Sequence, residues 1–173
     1  MATLASLKNR VNRRLGLDTT ASGVDDVELE AALNDGVREV LLRTHCYVHC
    51  GDMDLTANTW KYDLPASLGS GILAIKTVFT TDGGEWSRVT ASEMIALQRG
   101  GATADTPSAY AIEGSNLFMV WPTPSTSGEV DVLYVPKPTE MSSGSHDPSN
   151  STYGGVPVEF HHAIVLWACA QAA

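Results

Sequence analysis

The sequence predicts an α+β fold: a helical bundle of two N-terminal helices plus a C-terminal helix, with a small antiparallel β domain inserted. Three observations carry this. Apolar residues recur at helical spacing up to residue 48. After Gly51 the pattern turns to short alternating runs, rich in β-branched and aromatic residues and punctuated by Gly, Pro and Asp. The closing stretch VPVEFHHAIVLWACAQAA reads as helix again. The organisation that follows is 1–50 and 156–173 as the helical bundle, 51–138 as the β insertion and 139–155 as an exposed loop.

Residues 3–16 form the first predicted helix. Thr3 stands as its N-cap, Leu4, Leu7, Val11 and Leu15 share one stripe, and Gly16 is placed to end it. DTTASG is a polar loop. Residues 25–48 form a longer second helix. Asp25, Asp26, Glu28 and Glu30 crowd its first turns, where the helix dipole favours acids. Leu29, Leu33, Val37, Val40, Leu41 and Thr44 then keep helical spacing. The short connection predicts an antiparallel pair.

In the insertion, DMDLTANTWKYDLP alternates and ends in Pro65. ILAIKTVFTTDGGEWSRVT reads as a hairpin around Asp82-Gly83-Gly84. ASEMIALQR (91–99) reads as a short helix. SAYAIEGSNLFMVWPTP is a second hairpin turning at Glu113-Gly114-Ser115-Asn116. EVDVLYVPKP is a further strand, with Val130, Val132 and Tyr134 on one face. Pro122, Pro124, Pro136 and Pro138 mark strand ends or edges, because proline cannot donate to a ladder. Five or six strands result. The chain stops inside its last helix with no Gly, Asn or Lys to close it, so a further segment is expected beyond Ala173.

Composition narrows the function. The 173 residues are 43% hydrophobic and 18% charged, enough for a core and against gross disorder. The formal charge is −9. Generic binding to nucleic-acid phosphates needs a surplus of bases and is disfavoured, although Lys8, Arg10, Arg13 and Arg14 crowd the first helix. Three cysteines, Cys46, Cys50 and Cys169, do not make a secreted disulfide framework. No apolar run reaches the ~18 residues of a membrane span, and no signal-peptide pattern opens the chain. A reducing cytoplasm is the expected compartment.

The candidate chemistry is HCYVHC, His45 to Cys50. On a helix His45 and His49 share one face and Cys46 and Cys50 the next, the beginning of a zinc site. A structural site needs four ligands and a catalytic one three plus water. His146, His161, His162 and Cys169 are not spaced as ligands with this stretch. The preferred reading is a helix C-terminus, where histidine meets the dipole favourably and cysteine serves as a small apolar residue. His161 and His162 lie ~100° apart on a helix, one inward and one outward, so they are not a paired base. No Gly-x-Ser-x-Gly and no phosphate-binding loop is present. Asp52, Asp54 and Asp63 lack the Gly and closing Glu of a calcium loop. The aromatic residues of the strands have no interleaved bases and read as packing, not as a base-stacking platform. No catalytic, cofactor-binding or metal residue is assigned, and the chain is not expected to be an enzyme.

One set of residues carries a resemblance: Tyr62-x-Leu64-Pro65, Pro107-x-x-Tyr110, Gly114 in a hairpin, Trp121-Pro122-x-Pro124, Tyr134, Pro138, and Pro157-x-x-Phe160-His161 opening the last helix. In this order and spacing, with ELEAALNDGVREV before them, they resemble the head-to-tail adaptor proteins of tailed bacteriophages. The nearest type is similar to the tail tubular A protein of short-tailed phages. The resemblance implies a structural virion protein of the neck, assembled in the host cytoplasm. It implies a homo-oligomeric ring of twelve copies between the portal protein and tail or nozzle proteins. DNA would pass through the channel without sequence-specific binding, and no membrane, cofactor or catalytic residue is implied. The alternative is a small metal-binding protein or hydrolase using His45, Cys46, His49 and Cys50. A third reading is a carbohydrate- or host-binding module built on the aromatic-rich insertion.

Overall fold

The computed structural model describes residues 2–17, 25–64, 68, 71–104, 106–114 and 116–172. The DTTASG loop, Pro65, Ser115 and the terminus at Ala173 lie outside the described residues. The fold is α+β, with four α-helices and three sheets among the described residues. The chain divides into two compact units, Met1–Tyr47 with Lys137–Ala173, and Val48–Pro136.

The first unit holds α1 (Leu4–Leu15) and α2 (Asp26–Thr44). Leu4, Leu7 and Val11 are buried on one stripe of α1, and Gly16 ends the helix in the left-handed conformation that glycine adopts freely. Thr3 sits at the N-cap, but its side chain caps nothing. The N–H groups of Leu4 and Ala5 donate instead to the carbonyls of His146 and Gly144, at 2.7 and 3.2 Å. In α2 the Asp25 carboxylate accepts from the Val27 N–H, and Leu29, Leu33, Val37, Val40 and Leu41 are buried. Lys8 joins the two helices, with Nζ 2.6 Å from Glu30 and 3.1 Å from Asp26.

Residues 139–155, expected as an exposed loop, are instead held against the helices. Met141 is buried, and its N–H and C=O bond Asn34 of α2 at 2.8 and 3.0 Å. The His146 and Tyr153 rings stack 4.2 Å apart. A 3-10 turn, Ser151–Tyr153, is capped by Asn150. The Ser, Gly and Asn residues that read as loop supply these turns and carbonyls. Another 3-10 turn, Val158–Phe160, leads into the last helix, His161–Ala172, the fourth α-helix among the described residues.

The second unit contains β1 (His49–Leu55), β2 (Lys61–Asp63), β3 (Ile72–Thr80), β4 (Ser87–Arg88), α3 (Ala91–Arg99), β5 (Thr103–Ala104), β6 (Ala109–Glu113), β7 (Leu117–Trp121), β8 (Thr123–Pro124) and β9 (Gly128–Pro136). The last helix is accordingly α4. Antiparallel pairing gives the sheet β1-β9-β3. The other large sheet runs β2-β7-β6-β4. Met53, Val78, Val130 and Val132 of the first meet Tyr110, Phe118 and Val120 of the second in one core. Ala111 and Met119, on the opposite face of β6 and β7, pack on Met94 of α3. These two strands are buried on both faces, so they read as continuous apolar runs. A capping box between Thr90 and Glu93 starts α3.

The insertion is not wholly antiparallel: β4–β6 and β5–β8 are short parallel pairs. The hairpin at Asp82-Gly83-Gly84 closes only by the Phe79–Glu85 bridge and the Trp86 N–H bond to Val78. Trp86 is then buried in the core, and the chain passes to β6 through β4. Among the described residues nine strands form, three of them only two residues long, where five or six were expected.

Candidate assembly surface

HCYVHC is not helical. α2 ends at Thr44, and His45 is its cap in the left-handed region, at φ 49°. Its N–H donates to the Leu41 carbonyl at 2.9 Å, while the Thr44 hydroxyl donates to Val40 and accepts from the Cys46 N–H. Helix periodicity therefore stops before His49, which opens β1. His45 and Cys46 belong to the first unit, His49 and Cys50 to the second. Cys50 is exposed, and slight desolvation, then the carboxylates of Asp131 and Asp52, push its thiol up. Among the described residues no three His, Cys, Asp or Glu side chains gather as metal ligands would.

His161 is buried, and its Nε2–H donates to the Val156 carbonyl at 3.1 Å; His162 is exposed. One inward and one outward histidine is the arrangement that helical geometry predicts. Cys169 is half-buried on α4. Tyr62, Leu64, Tyr110 and Tyr134 of the quoted pattern belong to the core of the second unit, Tyr62 at its edge. That pattern is a scaffold rather than a site.

The surface that stands out is on α4. Its residues are apolar nearly all round, yet only His161, Ile164, Val165 and Ala168 are buried. Ala163, Leu166 and Ala170 face solvent, Leu166 with 45% of its surface exposed. Val158, just before the helix, is 56% exposed. α2 and α4 run antiparallel, because Arg43 near the end of α2 lies over the Trp167 ring while Glu28 near its start lies by Gln171. Gly36 lets the two helices approach: a Cβ there would sit 3.1 Å from the Ile164 carbonyl oxygen. Along the side where Ala163, Trp167 and Ala170 line α4, an open groove of 360 Å³ separates the helices. In line with it, a hollow of 400 Å³ lies between Glu28, Ala31, Ala32 and Asp35 of α2 and the end of α4. Sequence reasoning found the greasy helix but not α2 as the other wall of the groove.

An uncovered apolar surface of this kind marks a place of contact. The family model described as SU10 adaptor protein matches residues 2–173. The chain belongs to the SU10 adaptor protein family. No curated protein matches it. As a member of this family it is a phage head-to-tail adaptor, a structural component of the virion that acts with other head and tail components. The SU10 adaptors are a family of structural proteins rather than of enzymes, in keeping with a molecule whose most distinctive surface is an apolar groove. No helix among the described residues is long and apolar enough to cross a membrane.

Proposed function

We propose that this adaptor works as a ring of identical copies, twelve in number, seated between the portal protein and the tail or nozzle proteins around the DNA exit channel. Its nearest type is that of the tail tubular A protein. The carrying observation is the uncovered apolar surface of α4, because a lone subunit leaves Leu166 and Val158 in water. Burying a Leu side chain fully contributes about 1.5–3 kcal/mol, so each copy has a reason to seek a neighbour. In a cyclic ring each contact is heterologous: one face meets a different face of the next copy, and rotation closes the set. The helices and the 137–173 segment form the ring-packing part, and the β insertion faces outward or towards the tail.

The acidic balance, −9 overall, agrees with a channel along which DNA slides without being held, and with no sequence-specific contact. Assembly takes place in the host cytoplasm. Native mass spectrometry and negative-stain imaging of the protein, alone and with portal protein, test the reading. Closed rings of one stoichiometry are expected. A strictly monomeric protein that ignores the portal would overturn it.

A further inference from the structure

The two sides of the helical unit differ in charge. α1 contains no acid. Its Lys8 is spent on Glu30 and Asp26 of α2. On the rest of its surface, away from the buried Leu4–Leu7–Val11 stripe, Arg10, Arg13 and Arg14 are exposed. None of the three has a partner among the described residues. Four of the chain's 11 bases thus sit on one helix of 12 residues.

The groove between α2 and α4 and the hollow in line with it carry acids instead. On α4 the groove is lined by Leu166, Trp167 and two alanines, Ala163 and Ala170, where a helix can approach closely. Its α2 wall carries Glu39 and Arg43, the latter lying over Trp167, and the hollow in line with it carries Glu28 and Asp35. Glu28 has no partner among the described residues; Asp35 and Glu39 pair with Arg38 and Arg43 of their own helix. Those are exposed i,i+3 and i,i+4 pairs, worth only about 0.3–0.5 kcal/mol each, and they leave the carboxylates open to a second cation. The groove lies on the side of α4 turned away from its buried residues, while α1 packs on α4 and on the Glu30 flank of α2. Groove and arginine face therefore do not compete within one copy.

We propose that the groove between α2 and α4 receives α1 of the next copy, with Arg10, Arg13 and Arg14 laid along Glu28, Asp35 and Glu39. The proposal rests on the ring reading and names its interface. The arginine stems cover the alanines and Leu166, while the guanidinium groups reach the carboxylates, as long charged side chains do on apolar surface. Complementary charge also sets direction and excludes the symmetric pairing of two grooves or of two arginine faces.

Two full-length variants test it: R10E/R13E, which inverts the α1 face, and E28K/D35K, which inverts the groove wall. All four positions are exposed, and circular dichroism with thermal unfolding checks that each variant folds. Each variant alone is expected to lose at least ~10-fold in ring yield by native mass spectrometry. Mixed in equal amounts, the two should recover rings of even copy number. In the alternating order every inverted α1 meets an inverted groove, and every native α1 a native groove. Folded variants that assemble like wild type would overturn this interface and leave the ring reading standing. So would separate loss without recovery on mixing. A wild-type chain that never forms rings, with or without portal, would overturn both.

Discussion

Asn34 and His161 are the buried polar side chains among the described residues, and both bond backbone. Asn34 matters more, because its amide answers both the N–H and the C=O of Met141. Replacing it by Leu leaves two buried backbone groups without partners, a loss of about 1–3 kcal/mol for each. Urea unfolding of Asn34→Leu checks this, and a midpoint equal to wild type would refute the clasp. Lys8 gives a pH signature. Burial alone would lower its pKa, but hydrogen bonds to Glu30 and Asp26 and their negative charges outweigh it, so the folded value lies above the ordinary 10.5. A raised pKa means that the stabilisation is fully present below the unfolded value and is lost as pH rises through the folded one. The advantage of wild type over Lys8→Met is expected to hold steady through neutral pH and to shrink above pH 10.5. Thermal unfolding across that range reads it directly.

At the scale of the element, β1 and β9 set like charges opposite each other. Asp52 faces Asp131, and Asp54 faces Glu129, while Met53, Val130 and Val132 point into the core. Like charges directly opposite are destabilising by roughly 0.2–1 kcal/mol per pair, so Asp131→Lys should raise the melting temperature. Added salt should narrow the difference between the two proteins. A melting temperature lower than wild type in dilute buffer would contradict this account. The same strands show how much the sequence discloses. Alternation in EVDVLYVP set Val130, Val132 and Tyr134 on one face, which is the buried one, and ASEMIALQR read as the helix that α3 is. What is written locally, in periodicity and caps, could be read. The early stop of α2 could not, because only the left-handed backbone of His45 ends the helix before His49. The ordering of 139–155 was equally hidden, since Asn34 and the first N–H groups of α1 lie over a hundred residues away in the chain. The groove was half visible: composition marked α4 as apolar all round, but its second wall comes from α2.

Over the whole molecule, two units each carry their own interior. Residues 48–136 hold a core drawn from two sheets and a second cluster under α3. Expressed alone, this segment is expected to unfold cooperatively, with a β-rich far-ultraviolet spectrum and dispersed amide resonances. A disordered spectrum would show that it depends on the rest of the chain. The pairing of His49 with Tyr134 brings its first and last strands side by side. A segment that leaves and rejoins the chain at adjacent points is a cassette. Recombination between phage genomes can exchange or enlarge it at two codons without disturbing the helical part. Change in this segment can then accumulate independently of the helical part.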